Sequence, residues 1–581
     1  MITLKTIFLT LLVSNIFAVF FITYNFYTNK SQDRVVTAIK LLETNPYKFD
    51  EPLTAFHILE QLDVFEPVDD KYYNNFPKVM NQYNKPHLGL KTDPTYCRRH
   101  RAYFADHPEY IFETKNFITD HAPGSLVRDK ALKSVANDVH PKIGAHMSPS
   151  LKEKFFFDMK PELNLFFFNA GIHTYKHLGK DFGCTTQIYN NIPGRATINR
   201  KDYAAESVVE YAKLYEGRPQ CFNYDKFFPK TWVLRHEDQC RDFFENFNSP
   251  RYLEEKANKT IVYIRKIGAG THQAAGVQPV NDTEEAVIRE TYKNGELCGQ
   301  VNKSTIIQTY IYNPLLLDGH KFDFRIYMVI GSTYPTMLYY HDGFLRVSLH
   351  EYDVTSQDKG VLLTNTALSD KIFDIARKEG NYKGLNETEL RSFQMWTFDR
   401  LQKYLLDQKM IDSDKWLDEY LRPEFKKAMI HLVRMTEGPF LRRSQVYELF
   451  GCDFMLDSNL NLWFIECNSG PVLSGATEEK GKFVTKMLTD QYEIVFGMLK
   501  SRTKRIIEFV NDIIRNKEYE RTESGVVVKD LEAKRQHFKE ITKNYVEPEF
   551  EPSPDNGFAK IYDGNLEGTA RYANLISKEC L

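Results

Sequence analysis

The chain contains 581 residues, of which 42% are hydrophobic and 27% are charged, a globular composition that excludes a wholly disordered chain. It carries 76 Lys and Arg against 78 Asp and Glu, a net charge of −2, so we expect no nucleic-acid partner. At about 100–200 residues per domain, the length allows roughly three to five structural units.

The N-terminal segment is apolar. Residues 6–24, TIFLTLLVSNIFAVFFITY, carry no charge and lie between Lys5 and Lys30. A run of this length is just sufficient to span a bilayer. We therefore predict a signal-anchor or transmembrane helix within residues 1–30, with residues 7–27 in the membrane. A cleaved signal peptide and a soluble apolar arm are the alternatives, although the segment offers no small residues at a cleavage site.

The eight cysteines are widely separated in the sequence. No two form a C-x-x-C pair, and no histidine lies at a spacing typical of a zinc site. We therefore predict scattered buried thiols rather than disulfide bonds or structural zinc. The cysteines are Cys97, Cys184, Cys221, Cys240, Cys298, Cys452, Cys467 and Cys580.

The chain also contains N-x-S/T sequons. About this many are expected by chance in so Asn-rich a chain, so they do not by themselves indicate a lumenal location. They lie at Asn258, Asn281, Asn302 and Asn386.

Two predicted strands accompany a glycine-rich loop. Residues 261–266, IVYIRK, alternate as a strand does and lead into a loop that contains Gly268 and Gly270. Lys266 ends this strand, and such a loop exposes backbone N–H groups that bind phosphate oxygens. Residues 304–312, STIIQTYIY, predict the second strand.

A third predicted strand, KFDFRIYMVIG at residues 321–331, carries patterned charge. Because side chains alternate along a strand, Lys321, Asp323 and Arg325 share one face. A buried strand with two cations on one face suggests an anion such as a phosphate opposite it. The alternative is an ordinary ion-paired edge strand.

The segments that follow predict a hairpin and a helical region. Residues 335–352 are predicted to form a hairpin that turns at Asp342-Gly343 and brings Arg346 to the same region. From Glu478 to about residue 545 the pattern is helical, and residues 546–557 have the composition of a linker.

The hairpin predicted at residues 451–470 is the most informative segment. If its turn centres at Asn459-Leu460, Asp453 pairs directly with Glu466, and Asn468 shares their face. Two carboxylates this close repel, and a cation between them keeps both ionised. Mg²⁺ suits such oxygen ligands. The alternative is a solvated polar hairpin, but acidic groups in so apolar a segment need a partner.

Taken together and in this order, these segments resemble the tubulin–tyrosine ligase-like family, a branch of the ATP-grasp ligases. The resemblance covers roughly residues 160–500, and six motifs in one order make it specific. The matching segments are NNIPGRATINRKD (190–202), IRKIGAG (264–270), IIQTYIYNPLLLDGHKFDFRIYMVI (306–330), DGFLR (342–346), LLTN (362–365) and FGCDFMLDSNLNLWFIECNSGP (450–471).

This resemblance implies an α/β fold of the ATP-grasp type, in which N-terminal, central and C-terminal subdomains clamp ATP between antiparallel sheets. We expect an N-terminal transmembrane helix and a helical C-terminal tail in addition. The predicted divisions are a signal-anchor at 1–30, a stalk or extension at 31–95, the N-terminal subdomain at 96–205, the central subdomain at 206–320, the C-terminal subdomain at 321–500, and the tail and linker at 501–581.

Site residues follow from the resemblance, motif by motif. The expected ATP-binding residues are Lys201, Lys266, Gly268, Gly270, Gln308, Tyr310, Ile311, Lys321, Asp323 and Thr364. The expected catalytic residues are Lys321, Arg325, Arg346 and Asn365, and the expected Mg²⁺ ligands are Asp453, Glu466 and Asn468. Arg200 matches the first position of the family's RK pair, beside Lys201.

The activity that the resemblance implies is ATP-dependent ligation of a free amino acid to a carboxylate of a protein acceptor, through an acyl-phosphate. Tubulin is one candidate acceptor, and the sequence does not distinguish tyrosine, glutamate and glycine as the amino acid. Ligation onto a non-protein carboxylate and an inactive ATP-binding scaffold at a membrane are the alternatives. We expect the catalytic domain in the cytosol rather than in a lumen, because the resemblance points to cytosolic acceptors.

Three features leave the activity and the acceptor open. Residues 272–275, HQAA, depart from the family's glycine-rich loop, and Thr309 stands where a lysine is common. The strongest basic run is read equally well as a docking patch or a solvated face. It consists of Lys500, Arg502, Lys504 and Arg505.

Overall fold

The structure is a computed structural model. It describes residues 47–64, 95–112, 184–190, 192–258, 261–268, 276–364, 366–471, 473, 477–523 and 525–581, with three short strands between residues 117 and 168. In these residues the α-helices are Pro52–Leu62, Tyr96–Asp106, Glu109–Phe112, Ala196–Asn199, Lys201–Lys213, Glu237–Phe247, Pro250–Ala257, Asp282–Tyr292, Lys359–Leu362, Asp370–Glu379, Glu387–Gln394, Phe398–Asp407, Arg422–Thr436, Glu478–Arg515 and Leu531–Ile541. The strands are β1 Phe117–Asp120, β2 Val139–His140, β3 Leu165–Phe168, β4 Ile188–Tyr189, β5 Thr231–Val233, β6 Tyr263–Ile267, β7 Val277–Pro279, β8 Thr305–Thr309, β9 Leu316–Leu317, β10 His320–Thr333, β11 Thr336–Glu351, β12 Met395–Trp396, β13 Glu448–Leu456, β14 Leu462–Ser469, β15 Tyr519–Thr522, β16 Gly525–Val528 and β17 Ala559–Asp563.

Two antiparallel sheets organise the described fold. The larger has the order β12-β11-β10-β13-β14, with β17 added to β11 and β9 to β10. The smaller has the order β5-β8-β6-β7. A parallel sheet, β2-β1-β3-β4, and the hairpin β15-β16 complete the described strands. The protein is therefore a mixed α/β fold built on antiparallel sheets, as expected.

Strand β10 lies inside the larger sheet and is buried on both faces. Phe324 and Ile326 pack in the same apolar cluster as helix Arg422–Thr436. Tyr327, on the opposite face, packs in the cluster that includes helix Glu478–Arg515. The charged residues nearer the start of β10 share the face of Tyr327, because side chains alternate along a strand. The alternation thus directs them to one side of the sheet.

The prediction of a hairpin within residues 335–352 is wrong. Strand β11 is continuous, and the turn that precedes it is Tyr334-Pro335, between β10 and β11. Gly343 lies inside β11 at an irregularity of the pairing, where an added Cβ would approach the carbonyl oxygen of Arg325 to 1.5 Å. The glycine therefore permits close approach of two strands rather than a turn, although an Asp-Gly pair favours turns locally.

The C-terminal region is more closely integrated with the sheet than the predicted tail and linker. Helix Glu478–Arg515 runs across the predicted boundary between residues 500 and 501. The hairpin β15-β16 separates it from helix Leu531–Ile541. After the predicted linker, β17 pairs with β11, so the end of the chain extends the larger sheet.

The prediction of free thiols is also wrong, because all eight cysteines form disulfide bonds. The separations along the sequence range from 15 to 359 residues, so no local spacing pattern could have indicated the pairs. The pairs are Cys97–Cys184, Cys221–Cys580, Cys240–Cys298 and Cys452–Cys467.

The predicted single-pass anchor needs correction. No helix in the part of the chain that the structure describes is both long enough and apolar enough to cross a bilayer. Residues 7–27 themselves lie outside the described residues. The predicted membrane anchor is therefore not supported.

Candidate active site

The hairpin β13-β14 forms as the sequence predicts. The carboxylate of Asp457 accepts hydrogen bonds from the backbone N–H of Asn459 at 2.9 Å and of Asn461 at 3.0 Å. Leu460 adopts a left-handed conformation with φ of 62°. This turn sets the register, and Asp453 is paired directly with Glu466 across the two strands. The predicted pairing is confirmed.

Asp453 lies in a buried network of two carboxylates and two arginines. The Nε atom of Arg325 donates to Oδ1 of Asp453 at 2.6 Å. Arg346 donates from Nε to Asp323 at 2.6 Å, and its Nη2 lies 2.9 Å from Oδ2 of Asp453. The Thr364 hydroxyl also contacts Asp323. Burial lowers the pKa of Arg346, but the two carboxylates outweigh that effect and raise it.

A cavity lies between the larger and the smaller sheet. Its lining includes Lys201, Lys266, Gln308 and Glu466. The Nζ atom of Lys201 lies 3.0 Å from Oε2 of Glu466, and Lys266 donates to Oε1 of Gln308 at 2.6 Å. Burial raises the pKa of Glu466, but Lys201 and Lys266 outweigh burial and lower it to about 2. Asn468 also donates to Glu466, at 3.2 Å.

Lys321 is almost fully buried, with 2% of its surface exposed. Its Nζ donates to the Tyr310 hydroxyl and to the carbonyl oxygen of Leu362, each at 2.9 Å. No carboxylate in the described residues forms a salt bridge with it. Burial therefore lowers the pKa of Lys321 to about 7, with Asp323 acting in the opposite direction.

The first turn of helix Glu478–Arg515 contributes a cation that the sequence analysis missed. Burial, together with the positive charges of Arg325 and Arg346, lowers the pKa of Lys480 to about 8. Lys480 belongs to none of the quoted motifs, so only the fold brings it to the arginines. A lysine in the first turn of a long helix is a weak signal, because acidic residues are usually favoured there.

Asp202 fixes the smaller sheet to the start of helix Lys201–Lys213. It accepts hydrogen bonds from Arg200 at 2.8 Å and from Ser304 at 2.6 Å. The backbone N–H of Gly268 donates to the Ser304 carbonyl at 2.7 Å. Burial raises the pKa of Asp202, but the hydrogen bonds outweigh it and lower the pKa to about 2. Arg200 is thus a partner of Asp202.

The remaining predicted residues divide into two groups. Tyr310 follows β8 directly, its N–H donates to the Val262 carbonyl at 2.8 Å, and Ile311 comes next in the chain. Gly270, Asn365 and the divergent residues 272–275 lie outside the described residues.

The donor set of the hairpin suits a divalent cation bound together with a ligand. No group of three His, Cys, Asp or Glu residues that could hold a metal alone occurs in the described part of the chain. Two carboxylates and an amide oxygen, on Asp453, Glu466 and Asn468, are hard donors that Mg²⁺ accepts alongside substrate phosphates. The residues present therefore fit Mg²⁺ shared with a phosphate.

Taken together, the candidate site is cationic. Three carboxylates, Asp323, Asp453 and Glu466, lie among six cations. The cations are Lys201, Lys266, Lys321, Arg325, Arg346 and Lys480. A partly buried site with this excess of positive charge favours a polyanionic ligand.

The basic run at residues 500–505 is neither a docking patch nor a solvated face. Arg502 is fully buried, and its Nη1 donates to the Ser444 carbonyl at 2.9 Å and to Asn544 at 2.7 Å. Burial lowers its pKa to about 9. Arg505 is 7% exposed and packs on the Tyr545 ring at 3.5 Å. These arginines hold the C-terminal segment in place.

Residues 180–503 match the tubulin-tyrosine ligase family. The match covers more than half of the chain, and the chain belongs to this family, whose ATP-grasp fold agrees with the antiparallel sheets described above.

Among individual relatives, the chain is 26% identical over 322 residues to "Inactive polyglycylase TTLL10" of Homo sapiens, a match that covers 53% of this chain and 44% of that protein. It is 27% identical over 306 residues to "Protein polyglycylase TTLL10" of Mus musculus, which covers 49% of this chain and 40% of the relative. It is 25% identical over 334 residues to "Probable alpha-tubulin polyglutamylase Ttll1" of Tetrahymena thermophila, which covers 53% and 72%. The match spans less than half the length of the two TTLL10 proteins.

Proposed function

We propose that the protein is an ATP-dependent ligase that joins a free amino acid to a carboxylate of a protein acceptor. The observation that carries the proposal is the cationic site around Asp323, Asp453 and Glu466, which suits a nucleoside triphosphate. Family membership and relatives named as a polyglycylase and a polyglutamylase support a protein-modifying ligase.

The reaction proceeds in two steps. An oxygen of the acceptor carboxylate attacks the γ-phosphorus of ATP, the bond to the β-phosphate oxygen breaks, and ADP leaves. The amine of the amino acid then attacks the acyl carbon, loses a proton and displaces phosphate, which leaves an amide bond. Activation is required because a carboxylate is a poor electrophile at neutral pH.

The protein's own cations bind the phosphates and stabilise the phosphoryl group as it transfers. Lys266 and Lys321 are buried. Lys266 donates to Gln308, and Lys321 donates to Tyr310 and to the Leu362 carbonyl, so a phosphate oxygen can replace one of these acceptors on each lysine. Arg325 and Arg346 flank Asp453, and they stabilise charge on the phosphate as it transfers. Lys480 adds a third cation beside them. In-line positioning and charge neutralisation are the main requirements of phosphoryl transfer.

Two further sets of residues complete the proposed site. Gln308, Tyr310 and Ile311 lie where β8 ends and would hold the adenine. Thr364 and Asp323, which contact each other, would bind the ribose side of the nucleotide. Asp453, Glu466 and Asn468 would hold Mg²⁺. When bound, this ion would neutralise phosphate charge and orient the phosphates.

An ATP-binding protein without ligase activity is the second candidate. One relative is named an inactive polyglycylase. In this chain, in addition, every carboxylate of the site is paired with an arginine or lysine of the protein. Those pairs must open for metal and nucleotide to bind.

Purified full chain distinguishes the two candidates. It is incubated with Mg-ATP, a mixture of labelled amino acids and an acceptor, first tubulin and then a whole-cell protein extract, with Glu466→Gln as the inactive control. Labelled amino acid covalently bound to protein, with equimolar ADP, supports the ligase. A nucleotide-dependent thermal shift with neither product supports the inactive candidate.

A further inference from the structure

The disulfide bonds use every cysteine of the chain, so none remains as a thiol. Three of the bonds join segments 58, 87 and 359 residues apart. Cα–Cα distances of 5.2–5.6 Å place three of the pairs within the usual range for a disulfide, and the cross-strand pair Cys452–Cys467 is closer, at 4.0 Å. Complete pairing of eight cysteines over such separations is a property of the whole fold.

Seven of the eight cysteines are buried, and Cys97 is half-buried. Cys240 and Cys452 have no exposed surface, Cys467 is 1% exposed and Cys298 is 3% exposed. Formation of the bonds has to accompany folding. Each bond forms by oxidation of two thiols, with two electrons and two protons passing to a thiol–disulfide oxidoreductase. Such bonds persist in oxidising compartments and are rare where glutathione and thioredoxin keep thiols reduced.

The asparagines of three sequons, Asn258, Asn302 and Asn386, are exposed, and the structure describes every residue of the sequons at Asn302 and Asn386. Asn302 precedes β8 and is exposed. Asn386 is exposed at the start of helix Glu387–Gln394, and Thr388 of its sequon is exposed as well. The side-chain oxygen of Asn386 accepts the hydrogen bond that caps the helix, at 3.0 Å from the Glu389 nitrogen. The cap leaves the side-chain nitrogen of Asn386 available for modification.

From these two observations we infer that the chain folds in an oxidising compartment and carries N-linked glycans on Asn302 and Asn386. The glycan comes from a lipid-linked oligosaccharide pyrophosphate. The side-chain nitrogen of Asn bonds to the anomeric carbon of the first sugar and loses a proton, while the bond from that carbon to the pyrophosphate breaks. Sequons alone arise by chance, but buried disulfides place them where this transfer occurs.

The inference also restricts which proteins can be the acceptor, and this part rests on the proposed function. A ligase in such a compartment acts on carboxylates of proteins in that compartment. Tubulin in the reducing cytosol is then not its acceptor. The measurements below require no ligase activity, so failure of the proposed ligation leaves them unaffected.

The test uses the full chain produced in cultured eukaryotic cells and lysed directly into denaturant with a thiol-alkylating reagent. We expect all eight cysteines to escape alkylation until a reductant is added, and mass spectrometry to recover the four disulfide-linked peptide pairs. We expect an N-glycan amidase to lower the mass and to convert Asn302 and Asn386 to Asp. Cysteines alkylated before reduction, or unmodified asparagines at both positions, overturn the inference.

Matched variants assign the glycans. Thr388→Ala should remove the glycan on Asn386 but keep the helix cap that Asn386 forms. Thr388→Ser should keep that glycan. Asn302→Gln should remove the other, whereas Asn381→Gln, an exposed asparagine outside any sequon, should change nothing. An unchanged glycan mass in both Thr388→Ala and Asn302→Gln contradicts the assignment.

Discussion

Asp323 and Arg346 lie directly opposite each other on β10 and β11, and their side chains form two hydrogen bonds of 2.6 and 2.7 Å. Arg346 reaches Asp453, on the other neighbour of β10, at the same time. One guanidinium therefore joins carboxylates from two adjacent strands inside the sheet. The pairing of β10 with its two neighbours brings these charges together, and the ion pairs in turn hold the strands in register.

We expect Arg346→Ala to lower the free energy of unfolding by about 3–5 kcal/mol, because it leaves two buried carboxylates without their shared partner. Arg241→Ala, which removes an exposed pair with Glu237, should cost about 0–1 kcal/mol. Urea unfolding at pH 7 measures both. In samples folded at low temperature, turnover should fall more than ATP affinity. Equal stability of the two variants would contradict the role given to Arg346.

Glu466→Gln should abolish ligation, with a loss of at least about 100-fold in turnover, because it removes a charge proposed to bind Mg²⁺. The free energy of unfolding should fall by about 1–3 kcal/mol, since the pair with Lys201 loses its charge. Glu479→Gln, an exposed change nearby, should alter neither quantity. Near-wild-type turnover in Glu466→Gln would contradict the proposal that Glu466 binds Mg²⁺.

Nucleotide affinity should fall as the pH rises above about 7. Burial lowers the pKa of Lys321 to about 7, and only Asp323 acts to raise it. Lys321 of the free protein is therefore largely neutral at pH 8. The Tyr310 hydroxyl, the Leu362 carbonyl and the ring of Tyr352 also face it. A phosphate favours the charged form, so binding takes up a proton and affinity falls by at most about tenfold per pH unit.

Calorimetric titration with ATP at pH 8, in two buffers of different ionisation enthalpy, measures that proton uptake. Lys321→Arg keeps a charge at this pH and should flatten the dependence. If the affinity of Lys321→Arg for ATP depends on pH as the wild type does, another group takes up the proton. If the wild type takes up no proton on binding ATP, the prediction is contradicted.

Lys480→Gln should reduce turnover by about 10–100-fold, with a smaller effect on ATP affinity, because its charge adds to Arg325 and Arg346 at the transferring phosphate. Lys482→Gln provides the control on the same helix. Lys482 is exposed and pairs with Glu478 at 2.6 Å. Steady-state rates and nucleotide titration separate the two effects, and equal rates for the two variants would remove Lys480 from the site.

Removal of the Cys452–Cys467 bond by Ala at both positions should lower turnover, because these cysteines adjoin Asp453 and Glu466 in the two strands. Removal of the Cys240–Cys298 bond should leave turnover near the wild-type value. Each change should cost about 2–4 kcal/mol of stability. Thermal unfolding and rates at a temperature where both variants are folded test this. Equal turnover losses would show that only general stability matters.

The sequence predicted those features of the site that depend on neighbouring residues. Alternation along β10 correctly placed Lys321, Asp323 and Arg325 on one face, and turn residues correctly set the pairing of Asp453 with Glu466. Both follow from strand geometry, which acts over a few residues.

Features that depend on distant segments could not be predicted in this way. The partner of Cys221 is 359 residues away, and the partners of Arg502 come from three other parts of the chain, at Gln187, Ser444 and Asn544. Gly343 shows a different limit. Its Asp-Gly pair is a turn signal, yet the approach of the Arg325 backbone gives the glycine another use. Tertiary context overrides local preference in each case.

The Cys221–Cys580 bond joins two cysteines 359 residues apart and closes the chain between them into a covalent ring. A single protease cut between these two cysteines linearises the ring without releasing a fragment. Nicked protein therefore migrates as one species on a gel until a reductant separates the pieces. Proteolytic cuts between Cys221 and Cys580 are therefore detected only on reducing gels, and Cys580→Ala opens the ring.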